Sequence, residues 1–358
     1  MATTSFGVSH PLAVKIWSRK LFQEALKQTW ASKFIGKGSN AGIQLLEEPS
    51  KGPGDTVHYG LRMLLSGAGI EGDSTLEGSE EALTFYRDTV VLNQLRHAVK
   101  SEGKMSEQRV PYSVREEAMQ GLADWWSDRI DTALISQLTG DTGQTDTRYT
   151  GHNATVAPST GHSIIGAASN VLRCTAEASI SASTQKFTLN HIDAAVELAK
   201  TSTPMIRPFR VDGADRYVII VHPWQVTDMR TSTTTGQWND IQMSLIQGGK
   251  SADNPIFTGA LGMYNNTIIH ESTRIPLKAG STADTVRRAV FFGAQAGVIA
   301  YGQGAASGNT TWVEELFDFK NKLGVAAGMI WGCKKSIFNS LDYGTITIST
   351  RAVAGGHL

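Results

Sequence analysis

Residues 113–138 constrain this chain more than any other stretch, because they form one long amphipathic helix. Ser113-Val-Arg-Glu116, just after Pro111, has the form of a capping box, in which the hydroxyl and the Glu carboxylate each satisfy an orphaned amide. Met119, Leu122, Trp126, Ile130, Ala133, Leu134 and Leu138 then recur at three- and four-residue steps, and Gly140 is a natural stop. At 1.5 Å per residue the helix runs about 38 Å, the length of a spar. Its carboxylates Glu116, Glu117, Asp124, Asp128 and Asp131 fall on the polar side and read as a solvated face.

Ahead of the spar lie two β-type runs, residues 55–65 and 83–99. Val57, Tyr59, Leu61, Met63 and Leu65 alternate in the first. Between the runs are four glycines and five acids: Glu71, Asp73, Glu77, Glu80 and Glu81. The pattern predicts a long hairpin with a flexible acidic tip. A two-stranded ribbon is marginal in water, so one this long needs a surface to lie on, and a neighbouring subunit can provide it.

Residues 11–35 read as a helix carrying Trp17, Leu21, Trp30 and Phe34, with Lys15, Arg19, Lys20, Lys27 and Lys33. Its apolar residues are not confined to one face, unlike those of a membrane-surface helix. Either it is an arm clamped against other protein, its basic side chains turned to DNA, or it folds back onto its own domain. After the spar come a Thr/Gly/Asn-rich surface loop (141–163), a helix (189–200), a buried strand (217–221) and a short helix after His222-Pro223. Further strands follow to residue 349. The class is α+β, and no repeat period is visible.

At 358 residues and 41% hydrophobic, the chain is long enough for two lobes and a real core. Lys+Arg and Asp+Glu tie at 33 each, which argues against a protein built to grip nucleic acid. Charged residues make up 18%, a low share that fits either a surface covered by partners or a β-rich chain with many small polar loops. Cys174 and Cys333 stand far apart, consistent with a reducing compartment. No secretory head and no membrane-length apolar run is present, so a soluble protein made in the cytoplasm is expected.

The search for chemistry turns up little. Ser244-Leu-Ile-Gln-Gly-Gly249-Lys250-Ser251 ends like a phosphate loop but lacks the first glycine, and residues 238–246 ahead of it look helical. Gly36-Lys-Gly38 has the wrong spacing for a dinucleotide fingerprint. Gly161-His-Ser163-Ile-Ile-Gly166 misses the nucleophile-elbow spacing by one residue. The nine histidines show no i, i+4 pair and read as surface or strand-end residues. No catalytic residue, metal or cofactor is expected.

Several stretches resemble one family closely. Early ones are Lys33-Phe-Ile-Gly-Lys-Gly-Ser39, Leu76-Glu-Gly-Ser-Glu-Glu-Ala82, Gln94-Leu-Arg-His-Ala-Val99 and Met105-Ser-Glu-Gln-Arg-Val-Pro111, with Asp124-Trp-Trp126 in the spar. Later ones are Val221-His-Pro-Trp-Gln-Val226, Gly236-Gln-Trp-Asn-Asp-Ile-Gln242, Asn254-Pro-Ile-Phe-Thr-Gly259 and Phe292-Gly-Ala-Gln-Ala-Gly297. Together they look like the major capsid proteins of podophages related to coliphage N-four.

That resemblance implies a Hong Kong 97-type fold. Residues 1–50 would be the N-terminal arm and 51–105 the extended hairpin loop. Residues 106–186 would form a peripheral domain with Ser113, Glu116, Leu122, Trp126 and Ile130 on its spine. Residues 187–302 would be the axial domain, and 303–358 would return to the peripheral one. The resemblance also implies self-assembly as hexamers and pentamers into an icosahedral shell around double-stranded DNA held by non-specific inner-face contact. Portal, a separate scaffolding protein and a cement or decoration protein are the other implied partners, and no membrane is involved. Alternatives are a bacterial nanocompartment shell of the same fold, against which the podophage-type motifs argue, and a soluble hydrolase. Within the shell reading, the tip acids Glu71, Asp73, Glu77, Glu80 and Glu81 are expected to pair with Arg109 and Arg115 of an adjacent subunit, near the positive end of its spine helix. The other reading of those acids is that they keep a glycine-rich tip solvated.

Overall fold

The computed structural model describes residues 29–47, 55–62, 65, 67, 69–72, 77, 80–109, 111, 113–166, 176–180, 185–211, 213–231, 262–278, 286–302 and 311–354. Trp17, Leu21, Asp73, Cys174 and the whole of 238–251 lie outside them.

A 3-10 turn at Trp30–Phe34 leads into Ile35–Gly36 (β1) and Ile43–Glu47 (β2). Thr56–Arg62 (β3) and Phe85–Val91 (β4) make the ribbon, and Asn93–Lys100 (β5) continues from it. Lys104–Gln108 (α1) precedes the long helix Val114–Thr139 (α2), which Ser163–Ile165 (β6) follows. Then come Leu189–Thr201 (α3), Phe209–Val211 (β7), Ala214–Val221 (β8) and Pro223–Thr231 (α4). The later strands are Gly262–Tyr264 (β9), Thr267–Glu271 (β10), Leu277–Lys278 (β11), Val286–Phe292 (β12) and Gly297–Tyr301 (β13). Thr311–Phe317 (β14), Lys322–Lys335 (β15), Ile337–Phe338 (β16), Leu341–Asp342 (β17) and Thr345–Arg351 (β18) end the chain's described strands.

The strands form two main sheets. The first runs β1-β2-β13-β15-β14 with β5 also paired to β15. The second runs β6-β18-β12-β8-β10-β9, with β7 on β8 and β11 on β12. Helix α2 spans both. Its Leu122, Trp126, Ile130 and Leu134 pack on Ile299, Val325, Ala327, Met329 and Trp331 of the first sheet. Its last turns, through Ile135 and Leu138, meet Val218, Ile220, Val290 and Phe292 of the second. The opposite face of the second sheet, with Ile219, Val221, Phe291, Ile346 and Ile348, is covered by α3. Burial on both faces is why β8 and β12 read as continuous apolar runs rather than alternating ones.

Several expectations need correction. The arm helix does not run to residue 35: Trp30–Phe34 is a 3-10 turn and Ile35 enters a strand. Its first amides are taken by a side chain of α2, described below, instead of by a preceding helical turn. The run 83–99 is two strands, because β4 pairs with β3 while β5 pairs with β15. The first sheet takes β13 from within 187–302, and the second takes β18 from the C-terminal segment expected to leave it. Hydrogen-bond register decides membership here, and no local pattern encodes it. Ser113 does cap α2 by position, but its hydroxyl makes no capping bond. The Ser113 carbonyl instead accepts from the amides of Glu116 and Glu117, each at 3.1 Å. That end is exposed, so water can serve the remaining amides, and both acids complement the dipole.

The 141–163 segment is a surface loop only in part: most of it is exposed or half-buried, but five of its residues reach the interior. Thr150 and Asn153 are buried, and Gln137 Nε2 donates to both their carbonyls at 2.7 and 2.8 Å. Gly151 (φ +65°) accepts from the Cys333 amide, and a Cβ on it would lie 2.2 Å from Cys333 Sγ. The segment is a wedge between α2 and β15 that only glycine can complete.

His162, His191, His222 and His270 are buried, with His222 directly after β8 and His270 near the end of β10. Two of them serve helix starts as neutral acceptors: Trp224 N–H donates to His222 Nδ1 and Thr188 N–H to His191 Nδ1, each at 3.2 Å. Burial, helped by the nearby Arg287 guanidinium, pulls His222 down to about 4, and burial also lowers His191. The unfolded chain therefore takes up these protons first, near pH 6.5. Stability is intact above that pH and falls as pH drops toward 4, by about 2–3 kcal/mol for His222. Urea titrations at pH 7 and pH 5 should show the loss. His222→Asn keeps a capping oxygen without a proton site, so it should flatten the dependence. An unchanged slope in that variant would show that another group carries it.

Candidate assembly interface

The ribbon β3–β4 pairs with neither main sheet, and among the described residues it is fixed at its base. Asp88, buried there, accepts from Tyr59 Oη at 2.8 Å, from the Ile337 amide at 3.3 Å and from Lys334 Nζ. Burial first, and that carboxylate second, push the Tyr59 phenol far above its usual range. At the next turn of the base, Asn153 acts as a splint: its Oδ1 accepts from Val91 N at 2.9 Å and its Nδ2 donates to Val91 O at 3.0 Å. Gly332 makes the crossing possible, since a Cβ there would meet the Val91 carbonyl oxygen at 2.1 Å. Beyond this clamp the ribbon is bare. Phe85 is 64% exposed, Leu65 61% and Leu83 51%.

At the tip, Glu71, Glu77, Glu80 and Glu81 are all exposed, and Glu81 Oε2 accepts from Gly67 N at 2.7 Å, tying the two arms together. The cations expected to face the tip differ from one another. Arg109 is exposed. Arg115 is engaged inside its own subunit: its Nε and Nη2 reach Glu314 Oε1 at 2.8 and 2.6 Å, and Trp312 Nε1 shares that oxygen at 2.7 Å.

On the spine, Leu122, Trp126 and Ile130 are at 1% exposure or less, while Ser113 and Glu116 are exposed. Asp131 does not belong to a solvated face. It is 1% exposed, and its carboxylate accepts from Trp30 N at 2.9 Å and Ala31 N at 3.0 Å, with Arg274 at 3.5 Å. Burial raises its pKa, which the two amides and Arg274 oppose. Asp131 thus latches the start of the described arm, and Trp30 and Phe34 pack edge-on against His270. Spacing along the helix could not reveal this, because the partner is about a hundred residues away. At the far end of α2, Arg288 donates to the carbonyls of Thr139 and Gly140 at 3.0 and 2.6 Å and pairs with Glu177, so a cation from β12 closes the helix's negative pole.

A cleft of about 430 Å³ opens between Phe34, Ala41, Phe209, Val218 and Ile268, with Lys33 and Arg216 at its rim. Among the described residues, no carboxylate, histidine or cysteine lines it. Among the described residues no three His, Cys, Asp or Glu side chains group to hold a metal, and no helix is long and apolar enough to cross a membrane.

Comparison with known proteins agrees with this construction. A family profile described as phage capsid protein matches residues 5–354. The major capsid protein of Pseudomonas phage KPP25 is 27% identical, the alignment covering 94% of each chain. Among solved structures, the capsid of Ralstonia phage GP4 superimposes with a TM-score of 0.78 at 32% identity over 99% of both chains. The capsid subunit of cyanophage Pam1, at 20% identity, shares the fold with a TM-score of 0.72 over 91% of this chain and 93% of that one. The spine, ribbon and paired sheets are those of the Hong Kong 97-type fold. On a match that spans nearly its whole length, the chain belongs to the phage capsid protein family.

Proposed function

We propose that this protein is the major capsid protein of a tailed bacteriophage, a shell subunit that works by assembling with copies of itself and not by catalysis. The observation that carries the reading is the ribbon: clamped at its base and, beyond the clamp, apolar and acidic with Leu65, Leu83 and Phe85 exposed among the described residues. A free monomer gains nothing from such a structure, since an isolated ribbon is marginal and exposed Phe and Leu invite aggregation. A contact that joins one patch to a different patch on the next copy generates rings, and rings of five and six close a shell. In this reading α2 and the first sheet make the peripheral domain, and the second sheet with α3 the axial domain. Double-stranded DNA meets the inner face without sequence readout, in keeping with the balanced net charge. Portal and a separate scaffolding protein complete the assembly in the host cytoplasm.

The test is sedimentation velocity with electron microscopy on purified protein at micromolar concentration, with and without scaffolding protein. Rings and closed shells are expected. Monomer alone across salt and pH, with scaffold present, would overturn the proposal.

A further inference from the structure

The cleft beside the arm turn is built on the second sheet. Alternation puts Arg216, Val218 and Ile220 of β8 on the face that meets α2 and the Trp30–Phe34 turn. Across that face Phe292, Val218, Ile268 and Met263 stand opposite one another on four neighbouring strands. Directly opposed residues share a face, so the row is one surface. Burial fades along it: Phe292 is 1% exposed, Val218 4%, Ile268 half-buried and Met263 37% exposed. The row therefore runs from the core to the mouth of the 430 Å³ cleft that Val218 and Ile268 line. The inner end is aromatic, with Phe34 and Phe209 edge-on to Phe292 at 5.4 and 6.0 Å. Gly42 makes room for these rings, since a Cβ there would meet Phe209 at 2.9 Å and Phe292 at 3.2 Å.

The mouth is cationic. Arg216 stands opposite Phe209 in the β7–β8 pair, and its Nη1 lies 3.3 Å from Met263 Sδ. A thioether is a weak acceptor and carries no charge to balance a guanidinium. The neighbouring carboxylate, Asp215, is turned to Arg210 at 3.6 Å. Lys33 is the second cation of the rim, and among the described residues neither it nor Arg216 is ion-paired. Asn40, the rim's amide, is spent on the backbone of Arg210, donating to its carbonyl at 2.9 Å and accepting from its N–H at 2.8 Å. Small-molecule sites have this make-up, an apolar body of roughly 300–1,000 Å³ with a few convergent polar groups. We propose that the cleft binds a small amphipathic monoanion, an alkyl chain ending in a carboxylate. The chain lies on Val218 and Ile268 between Phe34 and Phe209, and the carboxylate is held at the mouth by Arg216 and Lys33. A guanidinium fork suits that group, because it can donate two parallel hydrogen bonds to one carboxylate. The site lies within one subunit and goes beyond the shell reading.

The test uses a diazirine-bearing alkyl carboxylate, photolysed with the purified full-length protein and mapped by peptide mass spectrometry. Saturable labelling within 33–42, 209–218 and 263–268 is expected. Octanoate should displace it about tenfold better than 1-octanol or octylammonium, which share the chain and lack the negative charge. Arg216→Gln should weaken octanoate about tenfold and leave 1-octanol unchanged. Ile268→Trp fills the cleft and should abolish labelling there at a melting temperature near wild type. If that variant unfolds, Arg216→Gln still decides. Labelling spread over other surfaces, equal displacement by the three competitors, or an Arg216→Gln protein that binds octanoate like wild type overturns the site. Subunits, rings and shells can all be labelled, so this result is separate from that of the assembly test.

Discussion

Replacing Trp126 by Ala is expected to lower subunit stability by about 3–5 kcal/mol, as removal of a large buried aromatic does. Trp126 is among the largest fully buried side chains and sits where α2 crosses the first sheet, against Trp125 and the cluster that includes Trp331 and Met329. No neighbour can collapse into the void, because the sheet beneath is continuous and the wedge at 150–153 holds the helix from the side. Most of a typical domain's margin would go, so soluble subunit should be lost or recovered as aggregate. Chemical denaturation of the soluble fraction measures it. Wild-type stability in this variant would mean that the helix presents a different face to the sheet.

A loss of similar size, about 3–5 kcal/mol, is expected for Asp342→Ala, by a different mechanism. Lys335 and Asp342 form an ion pair at 2.7 Å with side chains only 1% and 2% exposed. Asp342 also accepts from Ser159 N at 3.0 Å, and Lys335 Nζ donates to the Val156 carbonyl at 3.2 Å. Burial pulls the lysine pKa down and the carboxylate pushes it back, so the ammonium depends on its partner. Removing the carboxylate strands a charge in the interior, and that desolvation is the main cost. Lys335→Met added to Asp342→Ala should therefore recover part of the loss. A double variant no more stable than Asp342→Ala alone would show that the hydrogen bonds of Asp342, and not the stranded ammonium, carry the effect.

Both sites illustrate where local pattern stops. Trp126, Leu122 and Ile130 were legible because burial on a helix repeats every three or four residues, and that repeat is written in adjacent sequence. Asp131 sits on the same helix at a position that the wheel assigns to solvent. Its burial depends on the amides of Trp30 and Ala31 arriving from elsewhere in the chain. The same holds for Asn153, which looked like one more polar loop residue and is the splint that fixes the ribbon to the body. Lys335 and Asp342 are ordinary charged residues in sequence, and nothing within seven positions marks them as interior. His191 and His222 cap helices with an imidazole nitrogen, a role that the usual Ser, Thr, Asp and Asn preferences do not flag.

What the sequence determined by itself is the set of local periods: the spine, its glycine stop at Gly140, the paired strands of the ribbon, and the acids at its tip. These follow from 3.6- and 2-residue repeats and from the backbone freedom of glycine, which act between near neighbours. Family motifs added the fold class. Tertiary structure alone decided which sheet each strand joins, since β13 and β18 are both almost wholly buried and their membership follows from the partners whose hydrogen bonds they complete. It also decided which charges go inside, because a buried carboxylate or ammonium is tolerated only where distant backbone and counter-charges converge on it. The face of the first sheet turned away from α2 was settled at that level too. Gly324, Ala326, Gly328 and Ile330 are unremarkable as a string, and they become a surface only when β5 and β14 are laid on either side of them.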